Sequence, residues 1–374
     1  MTTMEAYQSS FDGEPGYLDW AAFGPLSPGV RGEVHADAEL LGSGRPSSID
    51  LVADHAREAR RLVAELVGGD EEQVTLQPST TYGLMHAVFG LSGSVIASTA
   101  DFPSITVSLT RAAEALGRVT PRWITSEAGA MTPDVVRDAL DDDVTAVMVS
   151  LVDFRTGYRV DLAGLREVLG PDRLLIVDAI QGFGVVDADY AAADVVCSNG
   201  YKWLRAGRGT GFAWFGDRAL ERIAPVLSGF AGVEGGLPMD EVPRPAASAR
   251  AFTVAHPDWL AAARLSTGLR EVLDAGVSRI ESELVARTRD VIHSADRFGI
   301  PVVTPREAER RAGIVALAPP PAEVAPLGAA IANHGLTVTT RSGLIRVAPH
   351  VGTGAETLRM FGDALAAFAQ TRVW

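Results

Sequence analysis

Lys202 is the only lysine in a chain of 374 residues whose Lys and Arg together number 33. Either cation can decorate a surface, but only an amine can lose its proton and attack a carbonyl, because a guanidinium stays protonated to a pKa above about 12. Ala193-Asp194-Val195-Val196-Cys197-Ser198 reads as a buried strand running into Asn199-Gly200-Tyr201-Lys202. A flexible, glycine-containing segment, Arg205-Ala206-Gly207-Arg208-Gly209-Thr210-Gly211, follows. A lysine at a strand end, flanked by glycines, is placed for chemistry.

Two further groups have suitable types and positions. Asp178 ends the apolar run Leu174-Leu175-Ile176-Val177, about two dozen residues before Lys202. A strand-end carboxylate is commonly a turn or cap residue; paired with a strand-end amine, it also suits keeping a ring nitrogen protonated. Ser79-Thr80-Thr81 precedes a helix expected from near Tyr82. Hydroxyls at a helix N-terminus, where backbone amides are free and the dipole is positive, suit a phosphate, and they are also plain N-caps.

With 47% hydrophobic and 21% charged residues, the chain has the profile of a globular protein with one large core and a second, smaller one. A net charge of -14 disfavours nucleic acid and anionic membrane as partners and favours a small-molecule substrate. No run approaches the roughly 18 apolar residues of a membrane span, and the N-terminus lacks a basic region followed by an apolar one, so a cytoplasmic location is expected. Cys197, the single cysteine, leaves no intramolecular disulfide and no multi-cysteine metal site. Its apolar neighbours suit a buried structural thiol. His35, His55, His86, His293 and His334 have no ligand-like spacing, so no metal site is expected.

The elements that must position these groups follow from periodicity. Val74 to Gln77, Ser94 to Ser98, Thr145 to Ser150, Leu174 to Asp178 and Asp194 to Cys197 are short apolar runs. Helical spacing recurs over Asp50 to Val67, Tyr82 to Leu91, Ile105 to Leu116, Pro133 to Leu140 and Leu162 to Val168. Such alternation predicts an α/β fold with a mainly parallel sheet flanked by helices, and ligands on such sheets bind beyond the carboxyl ends of the strands. A long helical stretch from Trp259 through Phe298 leads to strands at Gly313 to Leu317, Leu336 to Val338 and Ile345 to Val347, and a last helix spans Ala355 to Phe368. The expected organisation is an N-terminal arm (1–16), a large cofactor-binding domain (17–257) and a small C-terminal α/β domain with the connecting helix (258–374).

Tyr17-Leu18-Asp19, Ser79-Thr80-Thr81, Ser150 to Gly157, Val177 to Gly182, Asn199 to Leu204, Gly209-Thr210-Gly211 and Arg346-Val347-Ala348-Pro349-His350 come in an order and spacing that matter together. The chain thereby resembles the class V aminotransferase group of pyridoxal-phosphate enzymes, within fold type I, from about Tyr17 to the last helix. That group includes cysteine desulfurases, kynureninases and isopenicillin N epimerase. The resemblance implies pyridoxal 5'-phosphate as cofactor, an α-amino acid as substrate, and a homodimer with shared active sites. It implies that Lys202 carries the cofactor as a Schiff base and shuttles the Cα proton, while Asp178 pairs with the pyridine nitrogen. Gln181 would hydrogen-bond the phenolic oxygen, and Thr80, Thr81 and Tyr201 would hold the phosphate. Phe102 would stack on the ring, and Arg346 would clamp the substrate α-carboxylate, a bidentate task suited to guanidinium.

Departures from the group narrow the chemistry. Phe102 stands where cysteine desulfurases have a histidine; it can stack but not titrate, as in kynureninases. The segment Thr339 to Leu344 contains no cysteine, which disfavours persulfide formation. Asp153 replaces a common asparagine near the cofactor oxygen, where an acid would alter the cofactor's electronics or bind a substrate amine. His256 lies in a region that reaches the neighbouring subunit in relatives, and His350 follows Pro349; the plainer reading of both is a polar surface residue. Trp20 and Phe23 either narrow the substrate entrance or pack an interface.

These features favour β-elimination of the carbon–sulfur lyase type, or a related β-cleavage, with transamination or epimerisation as alternatives. A noncatalytic regulator is the minor alternative, because no basic DNA-binding segment is present and Lys202, Asp178 and Arg346 all are.

Overall fold

The structure, a computed structural model, describes residues 3–125, 130–235 and 240–371. Seven strands form the main sheet: β1 (Val74–Gln77), β2 (Gly93–Ser98), β3 (Val119–Ile124), β4 (Val144–Ser150), β5 (Leu174–Asp178), β6 (Val195–Asn199) and β7 (Gly211–Phe215). Their order is β1-β7-β6-β5-β4-β2-β3. Only β7 runs against its neighbours; β2 to β6 pair in parallel, and β1, antiparallel to β7, shares their direction. Six carboxyl ends, including Gln77, Ser150, Asp178 and Asn199, therefore reach the same edge, where ligands of such sheets sit.

The central strands are continuously apolar because both faces are covered. Alternate side chains divide between two cores: Val147, Val149, Leu175, Val177 and Val196 enter one, and Ala146, Met148, Leu174, Ile176 and Cys197 the other. A second sheet, ordered β8-β10-β9, joins β8 (Val315–Leu317), β9 (Thr339–Arg341) and β10 (Leu344–Val347) in antiparallel pairs over a third core that includes Leu18, Phe361 and Phe368.

Several expectations shift. The helical stretch from Asp50 breaks at Asp54 into Pro46–Ala53 and His55–Val67, and that from Trp259 breaks at Gly276, whose φ of 86° only glycine adopts freely, into Trp259–Ala275 and Val277–Arg297. The first of these last two helices buries Leu265, Leu269 and Val272 in the large core. The strand expected at Leu336 to Val338 lies instead at β9, because Thr337 is taken by the N-terminal segment: it donates to Gly16 O (2.9 Å) and accepts from Leu18 N (3.0 Å). Other elements went unforeseen, among them the helices Thr3–Ser9, Asp217–Arg222 and Pro321–Asn333, and for three more the reason is plain. β3 is an edge strand with Pro121 and charged Arg122 in it. β7 begins in the glycine-rich stretch, and the helix Pro28–Gly42 buries only Val30 and Asp37, so it has no apolar stripe to read.

Candidate active site

Lys202 sits three residues beyond the carboxyl end of β6, in a loop that is tied down rather than flexible. Ala206 N donates to Gly200 O (2.8 Å), Arg205 N to Lys202 O (3.0 Å) and Gly200 N to Thr210 O (3.0 Å). Asn199 Oδ1 accepts from Tyr201 N, and Thr210 Oγ1 accepts from Gly200 N. The N-terminal segment lies directly on this loop: Gly24 N donates to Tyr201 O (2.8 Å), and a Cβ at Gly24 would stand 1.9 Å from Lys202 O. Only glycine permits that approach.

Arg205 holds the loop from below. It is a non-glycine residue at φ 55°, and its guanidinium is buried over the Phe11 ring (3.9 Å to the centroid) and the Tyr7 ring (5.1 Å). It donates to Ser10 O, Ser10 Oγ and Glu271 Oε2. Cation–π contact, hydrogen bonds and an ion pair together offset the left-handed backbone.

The Lys202 amine is buried, 5.8 Å from the Phe102 ring centroid and 5.4 Å from that of Tyr201. Burial lowers its pKa from the ordinary lysine value; Asp178 opposes the shift, and Arg346 and Arg208 add to it. Asp178, at the end of β5, has its pKa raised, chiefly by burial. Its Oδ1 accepts from Ile180 N (3.0 Å), while Oδ2 is buried with no hydrogen-bond partner. A buried carboxylate oxygen left so is costly and is satisfied by a donor such as a ring N–H.

The helix Thr80–Phe89 begins two residues earlier than expected, so Thr80 and Thr81 lie in its first turn with free amides. Ser79 occupies the N-cap without a side-chain cap bond, Thr80 Oγ1 is buried without a partner, and Thr81 Oγ1 meets Ser104 Oγ at 2.8 Å. Tyr201 has its phenol pKa raised mainly by burial, and the Arg208 guanidinium lies 4.6 Å from its ring centroid.

Other expected site residues are more heavily engaged. Gln181 donates from Nε2 to Ala21 O and accepts at Oε1 from Trp203 Nε1, which leaves one amide hydrogen for a ligand. Asp153 accepts at Oδ1 from Arg155 N, Thr156 N and Thr156 Oγ1, and at Oδ2 from Arg155 Nη2. That carboxylate shapes its own turn, and a cofactor contact would compete with these bonds. Phe102 caps the helix Pro103–Leu116 and packs edge-on against Phe154.

Arg346, on β10, donates to Phe154 O (3.1 Å) and pairs with Asp19 at 3.4 Å, while its Nε is buried without a partner. Asp19 also accepts from Thr339 Oγ1 and has its pKa raised by burial. The guanidinium thus retains donor capacity beside an acidic partner that a substrate carboxylate could replace.

Two groups carry more of the site than sequence reasoning assigned. Asp19 belonged to a recognised motif but had no role. Asp101 accepts from Phe102 N, Ser150 Oγ and Ser150 N, so it fixes the Phe102 cap against the end of β4. An acid directly before Phe-Pro at a strand-to-helix turn was the available signal.

His256 is exposed, against Phe230. His350 is not the surface residue expected: it is fully buried within an aromatic cage of Tyr7, Phe11, Trp20 and Trp203. Its Nδ1 accepts from Val351 N (2.8 Å), so Nε2 carries the proton and donates to Trp203 O (3.1 Å). Burial pushes its pKa down to about 3. Trp20 is likewise interior, whereas Phe23 stays partly exposed.

The family model for class-V aminotransferases matches residues 43–356, most of the chain. The chain belongs to the class-V aminotransferase family. Members of this family are pyridoxal-phosphate-dependent enzymes, which accords with the buried amine, carboxyl and hydroxyls at one sheet edge. Among curated relatives, a kynureninase of Deinococcus radiodurans is 30% identical over 275 residues, covering 70% of this chain and 65% of that enzyme. The match thus spans just under two thirds of the relative's own length. The fold is that of an apo cysteine desulfurase from Thermococcus onnurineus NA1, at a TM-score of 0.87 and 19% identity, covering 100% of this chain and 99% of that one. It is also that of a cystine C–S lyase solved with its product cysteine persulfide, at a TM-score of 0.85 and 19% identity over 96% and 98%. These likenesses give the class-V chain the fold type I architecture.

Proposed function

We propose that this class-V enzyme cleaves a bond at the β-carbon of an α-amino acid, by carbon–sulfur β-elimination or a related β-cleavage. The observation that carries the reading is that the site offers a buried amine but no thiol. Cys197 lies inside β6 with its thiol pushed up by burial. The turn between β9 and β10, Ser342-Gly343, holds no cysteine. Persulfide transfer therefore has no nucleophile, and the neighbour of the same fold that is named a cystine C–S lyase supports the same reading.

The residues present fit pyridoxal 5'-phosphate. Asp178 Oδ2 and Thr80 Oγ1 are buried polar atoms in want of partners, one suited to a protonated ring nitrogen and the other to a phosphate oxygen. When bound, the cofactor supplies an electron sink conjugated with the substrate α-carbon. Lys202 would be its attachment point and would serve as the base that takes the Cα proton onto Nζ, a task for which its depressed pKa suits the amine near neutral pH. Asp178 holds a proton at the ring nitrogen. Thr80, Thr81 and Tyr201 bind the phosphate, with the first-turn amides of the helix Thr80–Phe89. Arg346 orients the substrate by its α-carboxylate, and Phe102 walls the site without a titrating group, so that proton handling rests on Lys202.

Single-turnover reactions test this reading. A cysteine S-conjugate should give pyruvate, ammonia and thiol, or an α-amino acid with an aryl ketone at Cγ should, with water, be split between Cβ and Cγ into alanine and an aromatic acid. A retained pyridoxamine form without any β-cleavage product, across such a panel and the common amino acids, would overturn it in favour of transamination.

A further inference from the structure

We propose that Glu33, Asp37 and His55 form a divalent-cation site, best suited to zinc, that joins the helices Pro28–Gly42 and His55–Val67. Glu33 and Asp37 stand one turn apart on the first helix, and so share a face. His55 opens the second. Their ligand atoms all lie within 4.8 Å of one another. Linear spacing hides the set, because its members come from two helices.

The hydrogen bonds make this more than a cluster of acids. Ser266 Oγ, on the helix Trp259–Ala275, lies 3.0 Å from Ala263 O and 3.4 Å from His55 Nδ1, and with its hydrogen engaged by Ala263 O it accepts from the ring nitrogen. The imidazole proton therefore belongs on Nδ1. That leaves the Nε2 lone pair facing Glu33 Oε1 at 3.3 Å and Asp37 Oδ2 at 3.2 Å. Asp37 is 3% exposed, and its Oδ2 is buried without a hydrogen-bond partner. Three electron-rich atoms thus converge with nothing electropositive between them.

A cation at the centre resolves that convergence. Ligand bonds of about 2.0–2.1 Å in a tetrahedron set ligand atoms about 3.3 Å apart, which matches the two separations at Nε2. One imidazole with two carboxylates suits a first-row divalent ion over magnesium, which prefers more oxygens and water. The Nδ1–H bonded to a hydroxyl is the outer-shell contact that orients a ligating histidine. Solvent reaches the cluster from the Glu33 side, whose side chain is 35% exposed. The competing occupant is a second proton, which would make His55 an imidazolium paired with both acids.

Equilibrium dialysis of the chelator-stripped holoenzyme against zinc chloride, with metal counted by elemental analysis, separates the two. We expect one bound equivalent and a higher melting temperature in wild type. The equivalent should be lost in Asp37→Asn and His55→Gln, and its affinity lowered about 10- to 100-fold in Ser266→Ala, with far-UV dichroism and cofactor absorbance unchanged. Should Asp37→Asn fail to fold, the partly exposed Glu33→Gln and His55→Gln decide. A wild type that takes up no zinc, or variants that all retain the equivalent, would overturn the proposal.

Discussion

The Lys202 amine lies 5.8 Å from the centroid of the Phe102 ring and 5.4 Å from that of Tyr201. An amine walled by two aromatic rings has little water to stabilise its charge, which is why burial dominates its lowered pKa. Because Lys202 is the only lysine, an amine-directed reagent reports on it alone, with the N-terminal amine as background. In cofactor-stripped protein, labelling of Lys202 should rise with pH at a midpoint well below that of free lysine. Asp178 raises that pKa and Arg346 lowers it, so Asp178→Asn should move the midpoint down and Arg346→Gln should move it up. Mass spectrometry of the labelled peptide across pH reads both signs.

The Arg205 guanidinium, 2% exposed as a side chain, pairs with Glu271 at 3.0 Å and covers the rings of Tyr7 and Phe11. Removing it leaves a partly buried carboxylate unpaired. Arg205→Ala should destabilise the fold by about 3 kcal/mol, seen as a lower urea midpoint. Arg205→Gly should do no better, although glycine relieves the positive φ, because the cation–π and hydrogen-bond contacts are lost with the side chain.

His350 links pH to stability. Its pKa is about 3 when folded, against the ordinary value of about 6.5. The folded state therefore binds fewer protons than the unfolded state between those limits. His350's contribution is complete above pH 6.5 and falls by about 1.4 kcal/mol per unit as pH drops through that window. His86, lowered to about 4 by burial, acts in the same direction. Urea midpoints at pH 7.0 and 5.5 should differ in wild type, and by less in His350→Gln.

Cys197 should be a spectator. Its Sγ faces Gly83, where an added Cβ would lie 2.9 Å away, and its thiol is held protonated by burial. Cys197→Ala should keep full turnover and lose about 1 kcal/mol of stability or less, in line with removal of a small buried group. A folded wild type should resist thiol reagents until denatured.

Much of this site was legible in the chain because its parts are local. Lys202, Asp178 and Thr80 each follow an apolar run at a strand's end, and one sheet direction brings those ends together. What was not legible depends on distant segments. Asp19 meets Arg346 only because the N-terminal segment pairs with Thr337 and Ala348. His350 reads as polar, yet three aromatic residues from the first twenty positions enclose it with Trp203. Arg205 reads as one arginine among many, and nothing local announces that it is buried. β3 and the helix Pro28–Gly42 escaped because a proline edge strand and a helix with almost no apolar face carry no periodic signal.

The central claim is that Lys202 carries the cofactor and handles the proton. Purified protein should be yellow, and borohydride reduction followed by peptide mass analysis should place a pyridoxyl mass on Lys202; Lys202→Ala should lose both and fall more than about 10³-fold in turnover. A colourless wild-type protein of normal stability, with Lys202 unmodified after reduction, would contradict it.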